Sequence, residues 1–127
     1  MHLARGEEAL AITHLRAAVE ANEAYIGVLN DEAWHLATDP DAAVRTPDRA
    51  LTLATLANEL TEHRVPELLD TLAAAQAATG AFSQAAETLQ RALALASTSS
   101  AARYIPEFRE RLALYRAGTP YIDDGTM

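Results

Sequence analysis

The chain has 127 residues, a formal net charge of −8, half of its residues apolar but few aromatic, and no cysteine. That length gives room for one domain with a real core, and without cysteine there are no disulfides, no thiolate catalysis and no cysteine-type zinc sites. The acidity opposes attraction to phosphate backbones or anionic lipid, and no stretch approaches the ~20 apolar residues of a membrane span, so neither nucleic acid nor a membrane is an expected partner.

The N-terminus MHLARGEEAL carries acidic residues where a signal peptide needs a continuous apolar core. No address is visible, and the cytoplasm is the favoured compartment. Alanine is abundant throughout, which suits helices packed closely through small residues. Apolar positions recur at three- and four-residue steps with no sustained strand-type alternation, so the expected class is all-α, with six helices.

In chain order, the first helix is expected from about Glu7 to Asn22, with Ile12, Leu15, Ala18 and Val19 on one face, and the second from about Ala24 to Thr38 with Ile26, Leu29, Ala33 and Leu36. Pro40 stops the second, because the residue before a proline is pushed out of the helical region. Asp39 to Arg45 is a loop. Thr46-Pro47 reads as an N-cap followed by proline in the first helical position, opening a third helix that runs to about Leu60. After Pro66, the positions Leu69, Leu72, Ala73 and Gln76 mark one face of a fourth helix that Gly80 ends in a left-handed cap. Phe82, Ala85, Leu89, Ala92, Leu93 and Ala96 mark the fifth. Ser97 to Ser100 supply hydroxyls for a turn and for capping a sixth helix over 101–117, on which Ile105, Phe108, Leu112 and Tyr115 align. Residues 121–127 are an acidic, turn-prone tail expected to be loosely held.

The second members of the helix pairs resemble one another: Ala11, Leu15 and Ala18 correspond to Ala50, Ala54 and Ala57, and these to Ala85, Leu89 and Ala92. Their offsets lie close to the ~34-residue period of helix–turn–helix solenoids. The unit 66–98 resembles a tetratricopeptide repeat, with Leu69, Leu72, Ala73, Gly80, Phe82, Ala85, Leu89, Ala92 and Leu93 at the family's large, small and turn positions. It departs from the family at Gln76, where an aromatic is usual, and at Ser97, near the usual closing proline. The unit 26–64 is a weaker match, with a long loop and Glu32 in place of a leucine, and 1–23 resembles only the end of a repeat. The phrases LNDEAWHLATDPDAA, LLDTLAAAQAATGAF and LALYRAGTPY resemble bacterial repeat regions that close longer proteins. The resemblance implies antiparallel helix pairs stacked as a short right-handed solenoid over 1–120, closed by a capping helix at 101–117.

Candidate chemistry is sparse. His2, His14, His35 and His63 form no ligand pair on one helix face and read as surface residues. The paired acids Glu7-Glu8, Asp31-Glu32 and Asp123-Asp124 are adjacent, so they point different ways and read as solvated. Ser97 to Ser100 read as a linker. Arg103, Arg109, Arg111 and Arg116 share their helix with Glu107 and Glu110 and read as a solvated terminal face. No catalytic, cofactor or metal site is expected.

The most informative constellation is Asn30, Trp34 and Asp70 with Ala74, Ala77 and Ala78. In the repeat geometry the first helices of successive units line a concave surface, and these residues project toward it. An aromatic platform beside an amide and a carboxylate, over an alanine floor, suits an extended peptide or a helix. The alternative is that Trp34 packs between neighbouring repeats. Family members that capture a terminal carboxylate line the groove with Lys, Arg and Asn; here Asp70 replaces a positive charge and no lysine exists, so a neutral or basic segment fits better. The expected function is a protein-interaction module. Homodimerisation through an incomplete edge at Ile12, Leu15 and Val19 is one alternative, and an accessory domain of an enzyme such as a glycosyltransferase or sulfatase is another.

Overall fold

The computed structural model describes residues 23–123, which form five α-helices and one 3-10 turn, with no strand among them. Helix α1 covers 23–38, α2 Pro47–Leu60, α3 Pro66–Ala78, α4 Phe82–Ala96 and α5 Ile105–Arg116, with the 3-10 turn at Ser100–Tyr104. The first expected helix, Glu7 to Asn22, and with it the partial repeat lie outside the described residues.

Local chemistry sets most of the boundaries. After α1 the loop is held by Asp39 and Asp41, whose carboxylates accept from the backbone N–H groups of Asp41 at 2.7 Å and Ala43 at 2.9 Å. Pro47 opens α2 as expected, but the Thr46 hydroxyl makes no cap bond to the helix; it donates to the Val44 carbonyl at 3.1 Å. Gly80, at φ +91, ends α3 in the left-handed cap: Ala81 N donates to Gln76 O and Gly80 N to Ala77 O, both at 2.9 Å. Between α2 and α3 the same job falls to Glu62 and His63, at φ 58 and 57, conformations costly for residues with a Cβ. The helix expected over 101–117 is split. Pro106 has no N–H to offer Ala102, so Ile105 N bonds Ala102 O in the tighter 3-10 pattern before α5 begins. Ser99 caps that turn, its hydroxyl accepting from Ala101 N at 3.1 Å.

Helix α3 is the centre of the fold, with a core on either side. On one, Leu72, Ala74 and Ala75 meet Ala33, Leu36 and Ala37 of α1 and Ala50 and Ala54 of α2. On the other, Leu69, Ala73 and Ala77 meet Ala85, Leu89, Ala92 and Ala96 of α4 and Phe108, Leu112 and Tyr115 of α5. This double coverage explains why PELLDTLAAAQAA is apolar nearly all round, whereas α4 buries only one stripe. Alanines at the crossings let the backbones approach closely. Asn58, fully buried, ties α2 to α3 by donating from Nδ2 to Ala54 O at 2.8 Å and Leu68 O at 2.9 Å.

Candidate functional site

Three helices each contribute one stripe of side chains to a common cleft of about 440 Å³. From α1 come Asn30 and Trp34, four residues apart; from α3, Glu67, Asp70 and Thr71; from the 3-10 turn and α5, Tyr104, Phe108 and Arg111. Spacings of three, four and seven residues put each set on one helix face. Asp31 completes the rim.

The floor of the cleft is an ion pair. Arg111 donates from Nε to Asp70 Oδ1 at 2.8 Å and from Nη2 to Oδ2 at 2.7 Å, a two-pronged contact with both side chains nearly out of water. Three rings enclose the guanidinium: its carbon lies 5.3 Å from the Trp34 ring centre, 5.8 Å from that of Phe108 and 5.0 Å from that of Tyr121. Burial lifts the Asp70 carboxyl above its ordinary value against the pull of Arg111. On Arg111 burial acts downward, and Asp70 outweighs it, so the guanidinium is held above its ordinary value. The two directions oppose each other as to whether the pair ionises; the two-pronged geometry, with a guanidinium that does not deprotonate, favours the ion pair at neutral pH.

Two expectations are corrected here. Asp70 is not an open carboxylate awaiting a basic partner, because Arg111 consumes both of its oxygens. Arg111 is not on a solvated face, because its stripe with Phe108, Leu112 and Tyr115 is the buried one. The signal was present in the sequence: one acid and one base, each sitting within the apolar stripe of its own helix.

Of the other expected residues, Asn30 and Trp34 do line the cleft with Asp70. Asn30 Oδ1 is a buried acceptor without a hydrogen-bond partner. Ala74 and Ala77 do not form a floor; they are buried in the two different cores flanking α3. Ala78 packs against the first core and faces a second, smaller cavity. Trp34 is partly buried: it lines the cleft and packs on Tyr121 of the segment after α5, with ring centres 5.6 Å apart.

Sequence reasoning missed Tyr104, Phe108, Tyr121 and Asp123. The last two belong to the supposedly loose tail, yet Trp34 Nε1 donates to Asp123 Oδ2 at 2.9 Å and Asp123 N to Thr38 O at 2.8 Å. Nearby, burial and then Asp70 push the Tyr115 hydroxyl well above its ordinary range, and that hydroxyl has no hydrogen-bond partner. His35 is exposed beside Asp39, 3.3 Å away, and the described residues hold no cluster of three metal-ligating side chains. No helix among them is long and apolar enough to cross a membrane.

The cleft thus brings together aromatic rings, carboxylates and an amide. Compared with protein-family models, with curated proteins and with solved structures, the chain matches none.

Proposed function

We propose that this chain is a protein-interaction module whose cleft between α1, α3 and α5 takes a segment of a partner protein bearing a basic side chain. The observation that carries this reading is the make-up of the cleft: the partly exposed rings of Trp34 and Tyr104 wall an opening rimmed by the exposed carboxylates of Asp31 and Glu67, with Phe108 buried beneath. A lysine or arginine entering there meets ring faces and net negative charge, because Asp70 is already balanced by Arg111. The alternation of lining helices supports the likeness to a tetratricopeptide solenoid, in which the first helix of each pair faces the concave side. That likeness remains part of the proposal.

Trp34 is the chain's single tryptophan, so its fluorescence reports occupancy of the cleft. Titration with lysine- or arginine-bearing peptides is expected to give a saturable change that weakens as salt rises. Asp31→Lys with Glu67→Lys should weaken it further, and Trp34→Ala, followed by calorimetry, should cost about 2 kcal/mol or more of binding, the range of an interface hot spot. Equal binding of acidic and basic peptides, unchanged by the charge reversal, ends the proposal. Self-association is a second reading, favoured by Tyr25, Val28, Leu56 and Leu60, large apolar side chains of α1 and α2 that stay exposed. A monomeric sedimentation mass at high concentration removes it.

A further inference from the structure

The segment after α5 is docked against Trp34 and Arg111 of the cleft and against the end of α1. Gly118, at φ +71, ends α5 in a left-handed cap, with Gly118 N donating to Tyr115 O at 3.0 Å and Thr119 N to Leu114 O at 2.9 Å. Pro120 then keeps Thr119 out of the helical region, so the chain leaves extended and crosses to the last turn of α1.

Its side chains alternate as it goes. Tyr121 stacks on Trp34 and closes over Arg111, and Asp123 accepts from the Trp34 indole N–H. Pro120 and Ile122 point elsewhere, lining a cavity of about 300 Å³ with Ala37, Pro47 and Ala78. Alternation with period two is how an extended peptide presents itself to a surface. The backbone joins in through Asp123 N, which donates to Thr38 O, one of the last carbonyls of α1 that lack a donor within the helix. A ring stack, a charge-assisted hydrogen bond, a main-chain hydrogen bond and the partly buried Ile122 are together the contacts of peptide recognition.

We propose that Trp34, Thr38 and Arg111 form a peptide subsite for an extended aromatic–x–carboxylate sequence, that Tyr121 to Asp123 fill it in cis, and that a partner segment of that pattern binds only by displacing them. This rests on the cleft being a binding surface and shares Trp34 and Arg111 with it, but it concerns a ligand of opposite charge from the basic segment proposed there. Because the segment is tethered directly to α5, its effective concentration at the subsite is in the millimolar range, which a free peptide at micromolar concentration does not overcome.

The test uses the full chain and a synthetic peptide of residues 119–127, which carries no basic residue. In the wild type, the single indole N–H resonance is expected to be protected from exchange and to move on Asp123→Asn. The variant Tyr121→Ser with Asp123→Ser, shown to be folded by its helical circular dichroism, should bind the peptide with a saturable Trp34 fluorescence change. Its affinity should be at least ~10-fold higher than that of the wild type, whose own segment competes. A peptide with the same two serines should not bind. Equal affinity of wild type and variant for the peptide, or no binding by the folded variant together with an indole resonance indifferent to Asp123→Asn, overturns the proposal. Basic peptides run in parallel separate the two readings: their binding, with none by the peptide of 119–127, leaves the cleft proposal standing and removes this one, and the converse removes the other.

Discussion

Asp70→Asn keeps the size of the side chain and removes the charge that holds Arg111, which turns the floor of the cleft into a measurable quantity. Arg111 aims two N–H donors at the carboxylate, from Nε at 2.8 Å and Nη2 at 2.7 Å. An asparagine offers one acceptor oxygen and sets its own N–H2 against the second donor. The guanidinium stays charged on a residue that is only 9% exposed and is boxed in by Trp34, Phe108 and Tyr121, so the cost is that of breaking a buried pair, about 3–5 kcal/mol. Against a total stability of about 5–15 kcal/mol for a small domain, that is a large share. Urea unfolding followed by Trp34 fluorescence and by circular dichroism measures it; with a slope of about 1–3 kcal/mol per molar urea, the midpoint should fall by roughly 1–5 M. Arg111→Met alone should cost a similar amount, since it leaves Asp70 buried and unpaired. The pair Asp70→Leu with Arg111→Met should cost far less than the sum, because filling the space with apolar groups removes both charges at once. Additivity of the two single changes to within ~0.5 kcal/mol refutes the reasoning, since residues in direct contact are expected to couple more strongly than that.

Tyr115→Phe removes a buried hydroxyl with no hydrogen-bond partner, so stability should be unchanged or rise by up to about 1 kcal/mol; a loss larger than that in the same urea titration means that the hydroxyl does find a partner. Ala85→Leu and Ala92→Leu place a large side chain where α4 has no exposure at all and should each cost about 1–3 kcal/mol by overpacking, with neutral midpoints at both contradicting the close approach of α3 and α4. Glu62→Gly relieves a left-handed backbone at φ 58 and should raise stability by about 1 kcal/mol in thermal unfolding. The ion pair it gives up with Arg64 at 3.3 Å joins two exposed side chains and contributes little.

How much of this was legible in the chain depends on the range of the interactions concerned. Helix class and most boundaries were, because they arise within a few residues: periodicity marks a helix, Pro47 and Pro66 start one, and Gly80 ends one through bonds to Gln76 and Ala77. Short-range reading failed where two local options competed. The Thr46 hydroxyl chose the Val44 carbonyl over the helix it precedes, and the turn at Ser100–Tyr104 tightened because Pro106 withheld a donor. Within the candidate site, Asn30 and Trp34 were legible as one face of α1. The rest required the packing of α3 between two cores: the one-face reading of α3 set Ala74 and Ala77 on an open floor, whereas they are buried against different neighbours.

The charges were the least legible part. A stripe carrying Arg111 and a stripe carrying Asp70 each look like an error in an apolar face until α3 and α5 are set side by side, which brings together residues far apart in sequence. Tyr121 and Asp123 were hidden for the same reason, since the partner of Asp123 is an indole 89 residues away. Backbone preference and hydrophobic period are properties of a segment, so the amino-acid sequence by itself determined the helices and their buried faces. Which charge meets which, and what covers Trp34, are set by the rotation of one helix against another and by where the chain returns, and only the tertiary structure decided them.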